Sequence, residues 1–216
     1  MNNCKYIIMC GGKYNIWETP RQLIWINSEP IVVRTIRLLR QNGIKDIAIS
    51  SDNPVFKQYG VPVLSHKNDF VVYKPGVSSG DWCDCFYPTD EPTCYLMGDV
   101  VFSPEAIKKI VETETDDIEF FASAPPFAKN YIKPYAEPFA FKVVNVEHLK
   151  KAQKECRESR LKGLFRRPPI AWEFWQVVKG TAYNIINYKN YTVINDYTCD
   201  VDSPEDAIKI ERSMNG

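Results

Sequence analysis

Three short stretches of this 216-residue chain combine residue types that can do chemistry together. The first is Cys10-Gly11-Gly12-Lys13, which closes the apolar run Tyr6-Ile7-Ile8-Met9-Cys10. Glycines at a strand's carboxyl end let the backbone turn sharply and leave amide N–H groups open, so a phosphate can approach them closely. Lys13, and Arg21 further on, would add positive charge there. A Gly pair is also what an ordinary strand-to-loop turn uses. The second stretch is Gly98-Asp99, directly after Thr93-Cys94-Tyr95-Leu96-Met97. Ligands of open α/β sheets sit outside the carboxyl ends of the strands, which puts Asp99 where a metal-bound phosphate would be held. Aspartate in that position also serves simply to make a turn. The third stretch is Cys199-Asp200-Val201-Asp202-Ser203-Pro204-Glu205-Asp206. Ser203 can cap a helix beginning at Pro204, with Glu205 and Asp206 favourable near its positive end. Capping leaves Asp200 and Asp202 unexplained, and two carboxylates just ahead of a helix could complete a magnesium site begun by Asp99.

The elements that must position these residues alternate between strand and helix patterns. Tyr6–Cys10 is apolar throughout, as expected of a strand buried on both faces of a parallel sheet. From Pro30 to Asn42 a helix is predicted, with Val32, Val33, Ile36 and Leu39 on one side, Arg34, Arg37 and Arg40 on another, and Asn42-Gly43 as its stop. The arginine stripe reads as a solvated face, a phosphate-facing patch being the alternative. Ile47–Ile49 is a second strand, and Val61–Leu64 a third, short or at an edge because Pro62 cannot donate to a ladder. Thr93–Met97 reads as central. Ser103-Pro104 then opens a helix, and strands follow at 118–122, 137–144 and 191–194, with a helix from Val146 to Cys156. This alternation predicts an α/β fold, three layers deep with a mostly parallel central sheet. Gly-Asp-Val-Val-Phe-Ser-Pro-Glu-Ala-Ile (98–107) and Asp-Val-Asp-Ser-Pro-Glu-Asp-Ala-Ile (200–208) are nearly one phrase, read as a strand-to-helix turn used twice.

Length and composition bound the answer. The chain suits one α/β domain with a sizeable core. Lys+Arg and Asp+Glu both number 27, so net charge makes no case for a nucleic-acid partner and a small ligand is expected. No apolar run is long enough for a membrane span, and residues 1–5 do not have the pattern of a signal peptide, so a cytoplasmic protein is expected. Seven cysteines without a repeated spacing fit reduced thiols. Cys83-x-Cys85 is too closely spaced for the usual zinc hairpin.

The order of motifs resembles the nucleotidyltransferases with a GT-A-like, Rossmann-like fold. These include cytidylyltransferases for sugar acids, methylerythritol phosphate and phosphocholine, and the molybdenum-cofactor guanylyltransferase. The resemblance spans the chain. It rests on Gly11-Gly12, on Thr19-Pro20-Arg21-Gln22-Leu23 followed by Ile24-Trp25-Ile26-Asn27-Ser28-Glu29-Pro30-Ile31, on Gly98-Asp99, and on the 199–208 stretch, which is close to the Asp-x-Asp-Thr-Pro-Glu-Asp ending of the sugar-acid enzymes. Two departures stand out: Ile16 occupies the place of a usual Arg, and Arg21 that of a usual Lys.

The resemblance implies a magnesium-dependent transfer of a nucleotidyl group from a nucleoside triphosphate, CTP by the terminal motif, to a phosphorylated small molecule. Lys13 and Arg21 would act on the phosphates, Cys10, Gly11, Gly12 and Asp99 would line the nucleotide site, and Asp99, Asp200 and Asp202 would hold Mg2+. Ser78, Ser79, Gly80 and Asp81 would contact the base, a polar surface loop being their alternative reading. Residues 125–190 would form the substrate side. There the basic and aromatic stretch from Arg160 to Trp175 suits an anionic substrate or a subunit contact, hence a homodimer. Two other classes stay open. A GT-A glycosyltransferase commonly has Asp-x-Asp after the central strand, whereas this chain has Asp99-Val100-Val101. A non-catalytic nucleotide-binding protein would accommodate Ile16.

Overall fold

The computed structural model describes residues 4–11, 13–14, 19–66, 72–74, 77–79, 82–124, 136–183 and 186–215, with the backbone alone at 13–14, 72–74, 77–79 and 215. Its strands are β1 (Lys5–Met9), β2 (Lys13–Tyr14), β3 (Trp25–Ile26), β4 (Glu29–Pro30), β5 (Ile47–Ser50), β6 (Val63–Leu64), β7 (Val72–Lys74), β8 (Val77–Ser79), β9 (Thr93–Met97), β10 (Val100–Val101), β11 (Ile118–Ser123), β12 (Pro138–Val143), β13 (Thr192–Ile194) and β14 (Cys199–Asp200). Its helices are α1 (Ile31–Gln41), α2 (Pro104–Glu112), α3 (Val146–Leu161), α4 (Ala171–Val178) and α5 (Pro204–Asn215).

The central sheet has seven strands in the order β13-β11-β12-β9-β1-β5-β6. β12 is antiparallel to both neighbours, and every other pairing is parallel. β6 is at an edge and is shorter than the 61–64 run, starting just after Pro62. Strand order reverses at β1, with β5 on one side and β9 on the other, which makes the carboxyl ends of β1 and β9 a switch point.

Side chains of the sheet alternate between two cores. Tyr6, Ile8, Cys94, Leu96 and Phe121 face a cluster completed by Ile31, Val32, Ile36 and Leu39 of α1, Ile107 and Ile110 of α2, and Ile210 of α5. Ile7, Tyr95, Phe120 and Phe141 face the other, closed by Leu149, Ala152 and Cys156 of α3 and by Trp172, Phe174 and Trp175 of α4. The layers are therefore α/β/α. Phe120 and Phe141 stack at 4.4 Å across β11 and β12, and Trp172 meets Phe120 edge-on at 5.0 Å.

Two surface readings are corrected. Arg34 is buried rather than solvated: Nε donates to the Phe102 carbonyl at 3.0 Å, Nη2 to the Tyr197 hydroxyl at 2.9 Å, and Nη1 lies 3.4 Å from Glu29. Arg37 also pairs with Glu29, while Arg40 donates to the Gly60 carbonyl. Trp172, Phe174 and Trp175 are core rather than a recognition face, since every residue of α4 is buried, while Phe165 is half-buried beside Tyr183. They pack against the sheet, and Glu173 turns back to Arg167 Nε at 2.5 Å and to the Ile170 amide at 3.2 Å. Among the described residues no helix is long and apolar enough to cross a membrane, and no disulfide joins the cysteines.

Candidate active site

At the switch point β1 and β9 end side by side. The Gly98 amide donates to the Met9 carbonyl at 3.1 Å, one residue past the last rung of the ladder. A Cβ at Gly98 would stand 2.4 Å from that carbonyl oxygen, 2.8 Å from Cys10 Sγ and 3.0 Å from Gln22 Cγ, so glycine is required by contact rather than by backbone angle. Cys10 is spent within the fold. Its amide donates to Ser50, its carbonyl accepts from Ser51 Oγ at 2.9 Å, and burial together with Asp99 pushes its thiol well above the usual range. Gly11 is the first residue past this engaged backbone, and Gly12 lies outside the described residues.

The twin phrases at 98–107 and 200–208 do more than repeat a turn. Their strands pair with each other antiparallel, Val100 with Asp200 and Val101 with Cys199, and the Val201 amide donates to the Asp99 carbonyl at 3.0 Å. Each leads into a capped helix. Ser103 Oγ accepts from the Ala106 amide at 2.8 Å, and Ser203 Oγ from the Asp206 amide at 3.3 Å. Asp206 in turn accepts from the Asp202 and Ser203 amides at 3.1 and 3.0 Å, a reciprocal cap that fixes the loop carrying Asp202. Thus Asp99 and Asp202, 103 residues apart, are delivered to one place by a two-rung ladder.

Arg21 lies between them. Its Nη2 is 2.5 Å from Asp99 Oδ2, its Nη1 pairs with Asp202 Oδ1 and also donates to the Val201 carbonyl at 3.3 Å. The side chain is held by a 3-10 turn, Arg21–Leu23, that follows Pro20 and places Gln22 in the core. Behind it β3 and β4 form a hairpin whose turn residues, Asn27 and Ser28, have φ of 44° and 71°. Burial alone would lower the guanidinium's proton affinity, but Asp99, Asp202 and Asp200 outweigh it and hold the pKa above the ordinary arginine value.

Sequence reasoning missed Glu137. One ligand oxygen each from Glu137, Asp200 and Asp202 lie within 4.8 Å of one another. Glu137 reaches this end of the sheet because β12 is antiparallel, so its beginning lies beside the end of β9. The Glu137 amide donates to Ser123 Oγ at 2.7 Å, and its carbonyl accepts from the Ser123 amide at 2.9 Å. The donor set is all carboxylate, the hard-oxygen chemistry that suits Mg2+. Asp200 and Asp202 are thus together as expected, whereas Asp99 faces Arg21 and is not in that group.

The phosphate-side and base-side candidates meet in backbone. Lys13 is in β2, which pairs with β7, and β7 pairs with β8, where Tyr73 opposes Ser78 and Val72 opposes Ser79. A three-stranded sheet therefore links the Gly-rich turn to the Ser78-Ser79 stretch, which is strand rather than irregular loop. Gly80, Asp81 and Ile16 lie outside the described residues.

No family sequence model matches the chain, and no curated protein sequence matches it. Solved structures do match. A protein assigned as a glucose-1-phosphate thymidylyltransferase from Bacillus anthracis superposes with a TM-score of 0.59 at 16% identity, over 97% of this chain and 94% of its own. The CTP:phosphocholine cytidylyltransferase of Streptococcus pneumoniae gives 0.52 at 16% identity over 98% and 99%, and the inositol-1-phosphate CTP transferase of T. maritima 0.55 at 16% over 98% and 96%. At such identities the likeness is one of backbone path. With a seven-stranded, mostly parallel sheet whose order reverses at β1, the chain has the fold of the nucleotidyltransferases that its sequence resembles.

Proposed function

We propose that this chain is a magnesium-dependent nucleotidyltransferase, joining a nucleoside monophosphate from a nucleoside triphosphate to a phosphorylated small molecule. The observation that carries this reading is the convergence of Arg21, Asp99, Glu137, Asp200 and Asp202 at the strand-order switch point. An oxygen of the acceptor's phosphate attacks the α-phosphorus, a P–O bond forms, the bond to the β-phosphate breaks, and pyrophosphate leaves. The protein need only hold the two phosphates in line and neutralise charge on the phosphoryl oxygens. Lys13 and Arg21 supply cations for this, and Gly11-Gly12 an approachable backbone. Glu137, Asp200 and Asp202 hold Mg2+, with Asp99 adjoining through Arg21. When bound, the ion supplies Lewis-acid polarisation of phosphate oxygens.

CTP is the favoured donor, on the terminal Asp-Val-Asp-Ser-Pro-Glu-Asp phrase and on the cytidylyl activities named for two of the structural neighbours. The acceptor belongs to the same broad class as theirs, phosphorylated sugars, polyols and aminoalcohols, met on the 125–190 side of a single-domain cytoplasmic enzyme. The test is pyrophosphate release from each of the four ribonucleoside triphosphates with magnesium and a panel of those acceptors. Acceptor-dependent release that is lost in Asp202→Asn and Glu137→Gln is expected. Nucleotide binding seen by thermal shift with no release from any pair would overturn the catalytic reading.

A further inference from the structure

Arg21 occupies an unusual post for a residue expected to serve phosphates. Its guanidinium forks across Asp99 and Asp202, and Asp202 is also one of the three carboxylates gathered with Glu137 and Asp200. A divalent ion at that cluster must therefore share Asp202 with a fixed positive charge. Arg21 is largely buried, its side chain 17% exposed, while that of Asp202 is 40% exposed, so solvent screens this conflict only from the carboxylate's side. We propose that Arg21 is an internal counter-cation that suppresses binding of the free metal ion and is drawn off the carboxylates by the triphosphate, so that metal and nucleotide are taken up together.

The proposal rests on reading the cluster as a magnesium site. It turns on the residue type, since arginine stands where the resembled enzymes usually have lysine. A planar fork can engage two carboxylates at once, whereas an ammonium is a point charge that satisfies one of them well. The triphosphate offers the guanidinium a denser set of oxygens than Asp99 and Asp202 do. Its arrival then frees Asp202 for the ion. By linkage, each ligand must raise the affinity for the other by the same factor.

The test is Mn2+ binding, read by the electron-spin resonance of the free ion, to the whole protein without nucleotide. Wild type, Arg21→Gln, Arg21→Lys and Asp200→Asn are compared, with circular dichroism to confirm folding. The expected result is weak binding by wild type, a gain of several-fold in Arg21→Lys and of roughly tenfold in Arg21→Gln, and loss in Asp200→Asn. Should Arg21→Gln not fold, Arg21→Lys decides alone. If the folded arginine variants stay within about twofold of wild type while Asp200→Asn still removes binding, the gating idea is wrong and the metal site stands. Mn2+ binding that is indifferent to Asp200→Asn removes both.

Discussion

Gly98→Ala should damage the site far more than the addition of one methyl suggests. Gly98 does not have a positive φ, so alanine meets no conformational penalty there, and the whole cost comes from contact. The new Cβ would be 2.4 Å from the Met9 carbonyl oxygen and must reach at least 3.0 Å. Neither atom belongs to a flexible side chain, so the ends of β1 and β9 have to part, and the Gly98 amide bond to Met9 is what gives way. Overpacking of this kind costs about 1–3 kcal/mol, and a buried hydrogen bond lost with it about another 1 kcal/mol. Roughly 3 kcal/mol in a chain of this length lowers Tm by about 6–12 °C. The displacement also reaches Gln22 and Asp99, the residues beside Arg21, so pyrophosphate release in the folded variant should fall at least tenfold at 20 °C. Calorimetric scans with turnover at that temperature measure both. A Tm within about 2 °C of wild type would refute the argument that contact, not conformation, demands glycine here.

Three further outcomes follow from elements away from the site. Lys142 is buried and donates to the carbonyls of Ile110, Val111 and Thr113 at 3.0, 3.0 and 2.6 Å, closing the end of α2, so Lys142→Met should lower stability by about 2–4 kcal/mol in urea titration. Glu29 has its pKa lowered by its hydrogen bond to Arg37 and the charges of Arg37 and Arg34, against partial burial. Its contribution is therefore full above the ordinary glutamate value and is lost as pH falls through the lowered one. Urea midpoints of wild type should thus drop on acidification below about pH 4.5, and less steeply in Glu29→Gln. Ser28, at φ 71°, should accept glycine with a gain of up to ~1 kcal/mol in the same assay.

Legibility in the sequence followed the range of the interaction. β1, β9 and the start of α2 announce themselves locally, as apolar runs buried on both faces and as the Ser103-Pro104 cap. The same holds for Asp200 and Asp202, whose surplus over capping needs was visible in a single phrase. Glu137 was not visible as a site residue, because the direction of β12 depends on its pairing with β9 and β11 and leaves no mark on its composition. Arg34 looked solvated since its partners, the Phe102 carbonyl and Tyr197, are 68 and 163 residues away. The 160–175 stretch misled for a related reason: Arg167 beside Trp172 and Trp175 suggests recognition, yet all of α4 lies inside, its Glu173 and Gln176 satisfied by Arg167, the Ile170 amide, the Ala182 carbonyl and the Asn187 amide. β10 and β14, two residues each, are too brief for any periodicity to show, and the near-identity of their flanking phrases reads as a turn used twice without saying that the two strands meet.

The pairing of β10 with β14 has a temporal side. Arg21 and Asp202 are separated by 181 positions, and every strand of the central sheet is translated before Cys199. Asp99 and Glu137 are thus made well before the two carboxylates that the ladder brings to them. Asp200 and Asp202 therefore arrive together with α5, whose Ile210 closes the core, so the carboxylate group and the packing of this helix are completed in one stage rather than in succession.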